Sequence, residues 1–504
     1  MATDGGSARN FASAKPPKWG MIRFFVTMKG SALSRRASNA ILSAWETTLR
    51  CRGDAPAVLG EGGGVLRSFR EIEEEAVQWG DRLAHLGTLQ AGEIAAFQTG
   101  NSPEFFAILL ALFRRELVPL PLGRHLSPAE RQAAMEAVGA SVLIAYDEER
   151  AFFIELLPPA GRLPAWPSPR PDFLKLTSGT TAAPRAIRFR AEQLLEDALQ
   201  IEETMGITPA DLSYGVIPIG HSYGFSHLVT PLLCRGTPLV LSEDRMPRAI
   251  LNGLACSGAT VFPSMPLFFD KLADLGGEVL LPKLRLCLSA GAPLPVAVAE
   301  RFTKRFGLKI HSFYGSSECG GIAYDRSGSS AQPDRDGFVG EAMSRTNLTP
   351  QPDGRIVVTG AAVGDGYWPT VPGREDEALS HGCFTPGDLI EARPEGYYLA
   401  GRVNDIINIA GRKLNPREVE ARLFCYPGLR EIVVFGVPSR LRHEEAIACV
   451  VGEVDEAALL EFARSVLSLW QVPKAIWRVP RIPVCERGKI SRRALARQYV
   501  AMQG

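Results

Sequence analysis

The chain has 504 residues, 46% of them hydrophobic and 22% charged, an ordinary globular composition whose length suggests two or more domains. A formal net charge of +1 leaves no global field to draw it to nucleic acid or to an anionic membrane. Nine cysteines, an odd number without a Cys-x-x-Cys pair, predict reduced thiols in a cytoplasmic protein rather than a disulfide framework or a zinc site. The seven histidines show no His-x-x-x-His spacing, which disfavours a tightly held transition metal.

Residues 1–36 carry Arg9, Lys15, Lys18, Arg23, Lys29, Arg35 and Arg36 against one acid, Asp4. This N-terminal extension is compatible with a transit peptide, a disordered segment, or initiation at Met21 or Met28. Gly60 to Gly64 lies between Ala57-Val58-Leu59 and Val65-Leu66, so it reads as a hairpin turn and not as a dinucleotide fingerprint. Ser68-Phe69-Arg70-Glu71 is a capping box. Ile72, Ala76, Trp79 and Leu83 follow at helical spacing, predicting a helix to about Leu86. Strands are expected at Ile94 to Phe97, Val118 to Leu120 and Val142 to Ala145, with a helix from Ser102 to Arg114. The longest apolar run, Phe105 to Phe113, is nine residues, too short to span a bilayer. Strands alternating with helices argue for parallel sheets with helices on their faces.

Pro158 to Pro171 is a proline-rich connector. It leads into Leu176-Thr177-Ser178-Gly179-Thr180-Thr181-Ala182-Ala183-Pro184-Arg185. Phe173 to Leu176 and Ala186 to Phe189 read as strands on either side, making a hairpin. Its tip offers backbone N–H groups, hydroxyl donors and a cation, which suits a polyphosphate. The commoner phosphate loop, with Gly-Lys-Ser/Thr opening a helix, is absent. Further strands are predicted at Tyr214 to Ile217, Pro238 to Leu241, Thr260 to Phe262, Leu284 to Leu288 and Lys309 to Phe313, with a helix from Leu294 to Phe306. After about residue 350, Gly354 to Gly360 and Gly396 to Gly401 look like strands of a smaller β-rich unit. Beyond Arg402 a helix-and-strand segment begins, its first helix opened by Asn415-Pro416-Arg417-Glu418.

Four more blocks follow the hydroxyl loop in order: Phe313-Tyr314-Gly315-Ser316-Ser317-Glu318, Thr385-Pro386-Gly387-Asp388, Gly401-Arg402-Val403-Asn404-Asp405-Ile406-Ile407 and Gly488-Lys489-Ile490. Together they resemble the adenylate-forming superfamily of acyl-CoA synthetases, stand-alone adenylation domains and luciferase-like enzymes, over roughly residues 40–500. The resemblance implies an α/β fold: a large N-terminal domain of stacked mixed sheets with flanking helices and a β-rich subdomain, then a small mobile α+β lid. The corresponding expectation is an extension at 1–36, an adenylation core at 37–402 and a lid at 403–504. Two half-reactions are implied. A carboxylate attacks the α-phosphate of ATP, giving acyl-AMP and pyrophosphate, and a thiol then attacks the acyl-AMP.

Residue by residue, the resemblance assigns the β- and γ-phosphates to Thr177, Ser178, Gly179, Thr180 and Thr181, with Arg185 as the nearby charge. Arginine stands where the family usually has lysine and binds phosphate bidentately, and Ala182 replaces a usual glycine. Glu318 is the expected Mg²⁺ ligand, since a hard cation bridging phosphates needs only one or two protein carboxylates. Tyr314 is expected to stack on adenine, Phe313, Gly315 and Ser316 to flank the nucleotide, and Gly291, Ala292 and Pro293 to line the other adenine face. Asp388 and Arg402 resemble the ribose-binding pair, with Pro386 in place of a usual threonine. Lys489 resembles the lysine that bridges substrate carboxylate and ATP. Asn404 stands at the hinge, and Gly411, Arg412 and Lys413 would serve the thiol step, the two cations toward CoA phosphates. His221 resembles an aromatic gate between acid pocket and thiol tunnel, and Tyr223, Gly224, Phe225, Gly320 and Gly321 would shape that pocket beside Phe313 and Cys319. No side chain near His221 suits an amino group, which favours a fatty or aryl acid over an amino acid. The expected activity is ATP-dependent acid–thiol ligation to CoA. Its rivals are loading of a carrier protein's phosphopantetheine and a non-catalytic nucleotide- or acyl-binding protein of the same fold.

Overall fold

The structure is a computed structural model that describes residues 39–124, 126–147, 151–158, 161–177, 184–277, 279–328, 335–370, 378–409, 412–439, 443–483 and 490–503. The chain divides into Met1–Ser38, outside the described residues, and Asn39–Gly504, which carries the fold. No helix among the described residues is long and apolar enough to cross a membrane.

An 11-stranded sheet organises the large domain. Its parallel part runs Pro56–Leu59, Leu239–Leu241, Ser213–Gly215, Val261–Ser264, Leu286–Ser289 and Ile310–Ser316 in spatial order. Antiparallel strands Gly320–Tyr324, Phe338–Ala342, Gly396–Arg402 and Asp388–Arg393 extend it. The strands Leu239–Leu241, Val261–Ser264 and Leu286–Ser289 are buried along their length, as expected where helices cover both faces. A second, 4-stranded sheet holds Val118–Pro121, Ile94–Gln98, Ala140–Asp147 and Ala151–Leu156. The helix Glu104–Arg114 is buried on every side from Phe105 to Phe113, which explains why its sequence lacks a polar face.

Local signals account for several of these elements. Ser68 Oγ accepts from the Glu71 N–H at 3.2 Å and Glu71 accepts from the Ser68 N–H at 2.7 Å, opening the helix Phe69–His85. Its residues Phe69, Ile72, Ala76, Trp79 and Leu83 are buried, and each large apolar side chain so buried stabilises by about 1.5–3 kcal/mol. The glycine run closes a hairpin, with the Gly60 N–H bonded to Gly64 O at 2.9 Å and Gly63 at φ 80°. The two strands read together after residue 350 part company. Ile356–Gly360 belongs to a separate 4-stranded sheet, whereas Gly396–Arg402 pairs with Phe338–Ala342 and lengthens the main sheet. Alternation and turn signals mark a strand but leave its neighbour in space open. A second capping box, Ser127 with Glu130, opens the helix Pro128–Val138 and was equally readable.

The smaller C-terminal domain is a 5-stranded sheet of its own, Arg412–Leu414, Ile407–Ile409, His443–Gly452, Leu429–Ser439 and Ala475–Arg478. The long hairpin divides its side chains by parity. Val434, Ala448 and Val450 join Val419, Leu423 and Leu459 in one core, while Val433, Phe435 and Cys449 join Leu495 in another. The helix Pro416–Leu423 begins at an Asn415 cap, whose Oδ1 accepts from the Arg417 N–H at 3.2 Å.

One buried acid sets a pH dependence. Glu202, on the helix Ala191–Met205, pairs with Arg235 at 2.7 Å with 5% of its side chain exposed. Its other oxygen meets no partner among the described residues. Burial outweighs Arg235 and pushes the carboxyl up to about 7. A carboxyl raised by folding penalises the folded state once ionised; the penalty grows between its ordinary 4.5 and 7 and is constant above. Glu202→Gln is therefore expected to stabilise at pH 8 by about 1–2 kcal/mol and much less at pH 5. Thermal melting at both values checks this, and an equal gain at each would contradict it.

Candidate active site

The functional candidates gather beyond the C-terminal ends of the parallel strands, where open α/β sheets place their ligands. Pro218 to His221 follow Ser213–Gly215, Ala290 to Pro293 follow Leu286–Ser289, and Phe313 to Ser316 end the strand Ile310–Ser316. Asn101 fixes the first of these segments. Its side-chain oxygen accepts from the Ile219 N–H at 3.0 Å, and its amide donates to the carbonyls of Gly215, Ile217 and Ser242 at 3.1–3.2 Å.

The two strands of the expected hairpin are present. Phe173 pairs with Phe189 and Leu176 with Ala186 in antiparallel register. Thr177 closes its mouth, donating from both N–H and hydroxyl to Arg185 O at 2.8 Å. Ser178, Gly179, Thr180 and Thr181 lie outside the described residues. The Arg185 guanidinium stands 4.7 Å from the centre of the Tyr367 ring.

Tyr367 is a residue that sequence reasoning passed over. Its strand Tyr367–Trp368 pairs with Ala186–Phe189, and its hydroxyl donates to Glu318 Oε1 at 3.1 Å. The approach to it is stitched at every step. The Gly364 N–H donates to Glu318 O at 2.8 Å, the Asp365 N–H to Arg188 O at 2.9 Å, and the Arg188 N–H to Gly366 O at 2.8 Å. The Asp365 carboxylate accepts from Arg190 at 2.9 and 3.3 Å and from Gln193 at 2.8 Å. A Cβ on Gly364 would lie 2.8 Å from Ile187 and 3.1 Å from Arg188 O, so only glycine lets the backbone pass. The segment thus joins the strand Ala186–Phe189 to the Glu318 turn. Gly364-Asp365-Gly366 ahead of a tyrosine was the available signal.

Glu318 also accepts from the Ser316 hydroxyl on its second oxygen. Among the described residues no three His, Cys, Asp or Glu cluster to hold a metal. One carboxylate with hydroxyl neighbours fits a hard cation that arrives on phosphate oxygens rather than one caged by protein.

Asp388 and Arg402 face each other across neighbouring strands. Arg402 Nε donates to Asp388 Oδ1 at 2.7 Å, and the Tyr314 hydroxyl donates to Oδ2 at 2.8 Å. Burial, reinforced by the Asp388 charge, pushes the Tyr314 phenol well above its ordinary range, so it remains a donor. The ring is 8% exposed, and the principal contact of Tyr314 is the carboxylate beneath the expected ribose rather than an open face for adenine. A Cβ on Gly315 would lie 2.8 Å from Gly320 O, which explains the glycine as a close approach between the paired strands. Gly291, at φ 84°, and Ala292 are exposed, and Pro293 is half-buried.

The residues expected around the acid divide. His221 caps the short turn Ser222–Gly224, its imidazole accepting from the Tyr223 N–H at 3.5 Å. The Ser222 hydroxyl meets that of Ser317 at 2.8 Å, linking this turn to the Glu318 turn. Tyr223 stacks on Phe313 at 6.0 Å, and a Cβ on Gly321 would lie 3.1 Å from the Phe313 ring. Phe313, expected beside the nucleotide as well as the acid, sits in this aromatic group. Gly224 and Phe225 do not. A Cβ on Gly224 would lie 2.1 Å from Pro218 O, and Phe225 turns into the core, 4.6 Å from Phe173, because the chain continues as a buried helix from Phe225. Gly320, at φ 69°, packs on Asp197, whose carboxylate accepts from the Gly321 N–H at 2.9 Å, the Ser226 hydroxyl at 2.5 Å and the Gln200 amide at 3.1 Å.

The turn Phe225–Val229 is a π-helix, a wider turn that re-aims side chains and recurs at functional sites. It carries His227, also missed from sequence. This imidazole is 3% exposed, with the Tyr223 backbone as a hydrogen-bonding neighbour. Its ring lies edge-on to Tyr223 at 4.8 Å and to Phe313 at 4.5 Å.

In the C-terminal domain Asn404 lies in the 3₁₀ turn Val403–Asp405. Gly411 and Lys489 lie outside the described residues. Arg412 and Lys413 are exposed, with the Arg412 guanidinium 5.5 Å from the Trp470 ring centre. Arg492, unanticipated, donates to both Glu420 oxygens at 2.7 and 2.9 Å, to Asp405 at 3.0 Å and to Val434 O at 2.9 Å.

Comparison with known proteins matches the same regions. The family model for AMP-binding enzymes covers residues 45–368, and that for the AMP-binding enzyme C-terminal domain covers 418–489. A feruloyl-CoA synthase of Amycolatopsis is 27% identical over 92% of this chain and 99% of its own. A long-chain-fatty-acid–CoA ligase of Bacillus subtilis is 31% identical over 64% of this chain and 60% of its own. The crystal structure of ATP-bound MatB from Rhodopseudomonas palustris superposes with a TM-score of 0.77 at 24% identity, covering 92% of this chain and all of that one. The chain therefore belongs to the AMP-binding enzyme family, within the adenylate-forming superfamily.

Proposed function

We propose that this protein is an ATP- and Mg²⁺-dependent acid–thiol ligase that activates a fatty or aryl carboxylic acid as its adenylate and passes the acyl group to CoA. The observation that carries the reading is Asp388, aimed by the Tyr314 hydroxyl on one oxygen and by Arg402 on the other. A fixed carboxylate suits vicinal ribose hydroxyls, and Glu318 with Tyr367 and Arg185 stands ready for the phosphates. The names of the relatives, an aryl-CoA synthase and a fatty-acid–CoA ligase, support CoA over a carrier protein as acceptor.

In the first half-reaction the acid's carboxylate oxygen attacks the α-phosphorus, the bond to the bridging oxygen breaks, and pyrophosphate leaves. Arg185 and the hairpin hydroxyls of 177–181 hold the departing phosphates, and the Lys489 ammonium bridges carboxylate and nucleotide. Glu318 is the residue that would hold Mg²⁺, which would supply neutralisation of the charge that builds on the leaving group. In the second half-reaction the thiol sulfur attacks the acyl carbon, its proton is lost and AMP departs. The segment 403–504 acts as a lid that turns at Asn404 between the steps, taking Lys489 out and bringing the Gly411-Arg412-Lys413 loop toward CoA. His221, on the turn tied to Ser317, lies at the gate between acid and thiol.

Pyrophosphate release with ATP, Mg²⁺ and a panel of fatty and aryl acids tests this, followed by CoA or a phosphopantetheine-bearing carrier. Release with at least one acid and thioester formation with CoA is expected. Nucleotide binding without release from any acid would point instead to a non-catalytic binder.

A further inference from the structure

The side chain of Tyr367 touches an acid at its tip and a cation at its face. Its hydroxyl donates to Glu318 Oε1 at 3.1 Å, and the Arg185 guanidinium stands over its ring, 4.7 Å from the centre. The same short segment holds both charged residues a second time. The Gly364 N–H donates to Glu318 O at 2.8 Å, and Arg185 Nη2 lies 3.5 Å from Pro369 O. This grip is rigid because each neighbour of Tyr367 is anchored on its own. Trp368 is 9% exposed, donates from Nε1 to Val138 O at 2.9 Å and packs on Trp166 with ring centres 4.3 Å apart. Tyr367 pairs with Ile187 and Trp368 with Ala186 in antiparallel register, so their side chains point to opposite faces. On the other side, the Asp365 carboxylate is bound by Arg190 and Gln193. A side chain whose backbone is fixed on both sides can set the position of what it touches.

Neither contact requires Tyr367 to reach a substrate. A carboxylate that holds a metal must present an oxygen in a fixed direction, and a hydroxyl bonded to it supplies that direction. The Ser316 hydroxyl, which also bonds to Glu318, belongs to the same turn and moves with it. Tyr367 belongs to another strand and ties the carboxylate to the strand that follows Arg185. Its ring face attracts the guanidinium without consuming an N–H donor. Resting on the nucleotide site of the ligase reading, we propose that Tyr367 is a positioning residue that holds Glu318, the Mg²⁺ ligand, and Arg185, the phosphate-binding cation, in register so that both meet one triphosphate. Its two ends have separable duties. The hydroxyl serves metal affinity, and the ring serves the grip on the β- and γ-phosphates.

The test compares Tyr367→Phe, which removes the hydroxyl and keeps the ring, with Tyr367→Leu, which removes both. Calorimetry measures ATP and AMP binding to the full-length protein with no acid present, first in EDTA and then across a Mg²⁺ titration. Pyrophosphate release with the acid panel is followed in parallel. Tyr367→Phe is expected to raise the Mg²⁺ concentration that gives half of the gain in ATP affinity by about 10-fold, with metal-free ATP binding and AMP binding unchanged. Tyr367→Leu should show the same shift and also weaken metal-free ATP binding by about 3–10-fold, again sparing AMP. AMP lacks the phosphates that Arg185 would hold, so a merely structural role would weaken both nucleotides alike and lower the melting temperature. Should the leucine variant fail to fold, the phenylalanine variant decides alone. Wild-type Mg²⁺ dependence in Tyr367→Phe, or parallel loss of ATP and AMP affinity in either variant, would overturn the assignment and leave the ligase reading intact. The expected binding shifts without pyrophosphate release from any acid would uphold the assignment and overturn the ligase reading. A wild-type protein whose ATP affinity does not respond to Mg²⁺ would overturn both.

Discussion

Lys489→Ala is expected to slow acyl-adenylate formation by about 10²–10³-fold, while thioester formation from supplied acyl-adenylate proceeds near the wild-type rate. The first effect follows from electrostatics. Negative charge moves onto phosphate oxygens as the carboxylate attacks, and a preorganised cation aimed at that charge typically lowers the barrier by about 3–4 kcal/mol. The second follows from the lid, because the thiol step is proposed to occur after Lys489 has swung away. The described structure supplies a mechanical argument for coupling the two. Three residues after Lys489, Arg492 grips Asp405, beside the proposed hinge Asn404, and Glu420 on the helix Pro416–Leu423. Its side chain is only 15% exposed, so this is a rigid tie. A rotation beside Asp405 must therefore carry the base of the helix Arg492–Gln503 with it. Measuring pyrophosphate release and CoA-dependent thioester formation separately decides the matter. Equal losses in both assays would remove the lid from the mechanism.

Much of this arrangement was legible in the sequence, for identifiable reasons. The hydroxyl hairpin, Glu318, and the Asp388–Arg402 pair are each carried by short blocks whose chemistry is local: a turn rich in donors, an acid after a Tyr-Gly pair, a carboxylate after Pro-Gly. What stayed hidden depends on contacts distant along the chain. Tyr367 is 49 residues from Glu318, and Gly364-Asp365-Gly366 before it marks a turn without marking which strand it pairs with. His227 lies two residues beyond Phe225, the last residue of the stretch read as shaping the acid pocket. Its place beside Tyr223 and Phe313 arises from a π-turn, which has no spacing signature. Gly224 and Phe225 are expected with the acid because their stretch of sequence resembles the block that borders the carboxylate pocket. The chain turns into a buried helix there, and Phe225 packs against Phe173 in the core.

Glu318→Gln is expected to lower adenylation by about 10²-fold or more and to shift the Mg²⁺ requirement to higher concentration, with AMP binding unchanged. The substitution is nearly isosteric. Its amide oxygen can still accept from Tyr367, and the Ser316 hydroxyl can rotate to accept from the new NH₂, so the turn keeps its shape and the melting temperature should hold. What disappears is the charge. An amide oxygen is a poorer partner than a carboxylate for a hard divalent cation, and among the described residues no group of three or more His, Cys, Asp or Glu is placed to hold a metal in its stead. Asp388, by contrast, keeps both its partners, Tyr314 and Arg402, so the proposed ribose contact is expected to survive. Titrating Mg²⁺ against pyrophosphate release, with AMP affinity measured in parallel, separates the two halves of the site. A glutamine variant with unchanged metal dependence would place the cation elsewhere. Loss of AMP affinity together with activity would mean that the turn, and not the charge, is what Glu318 supplies.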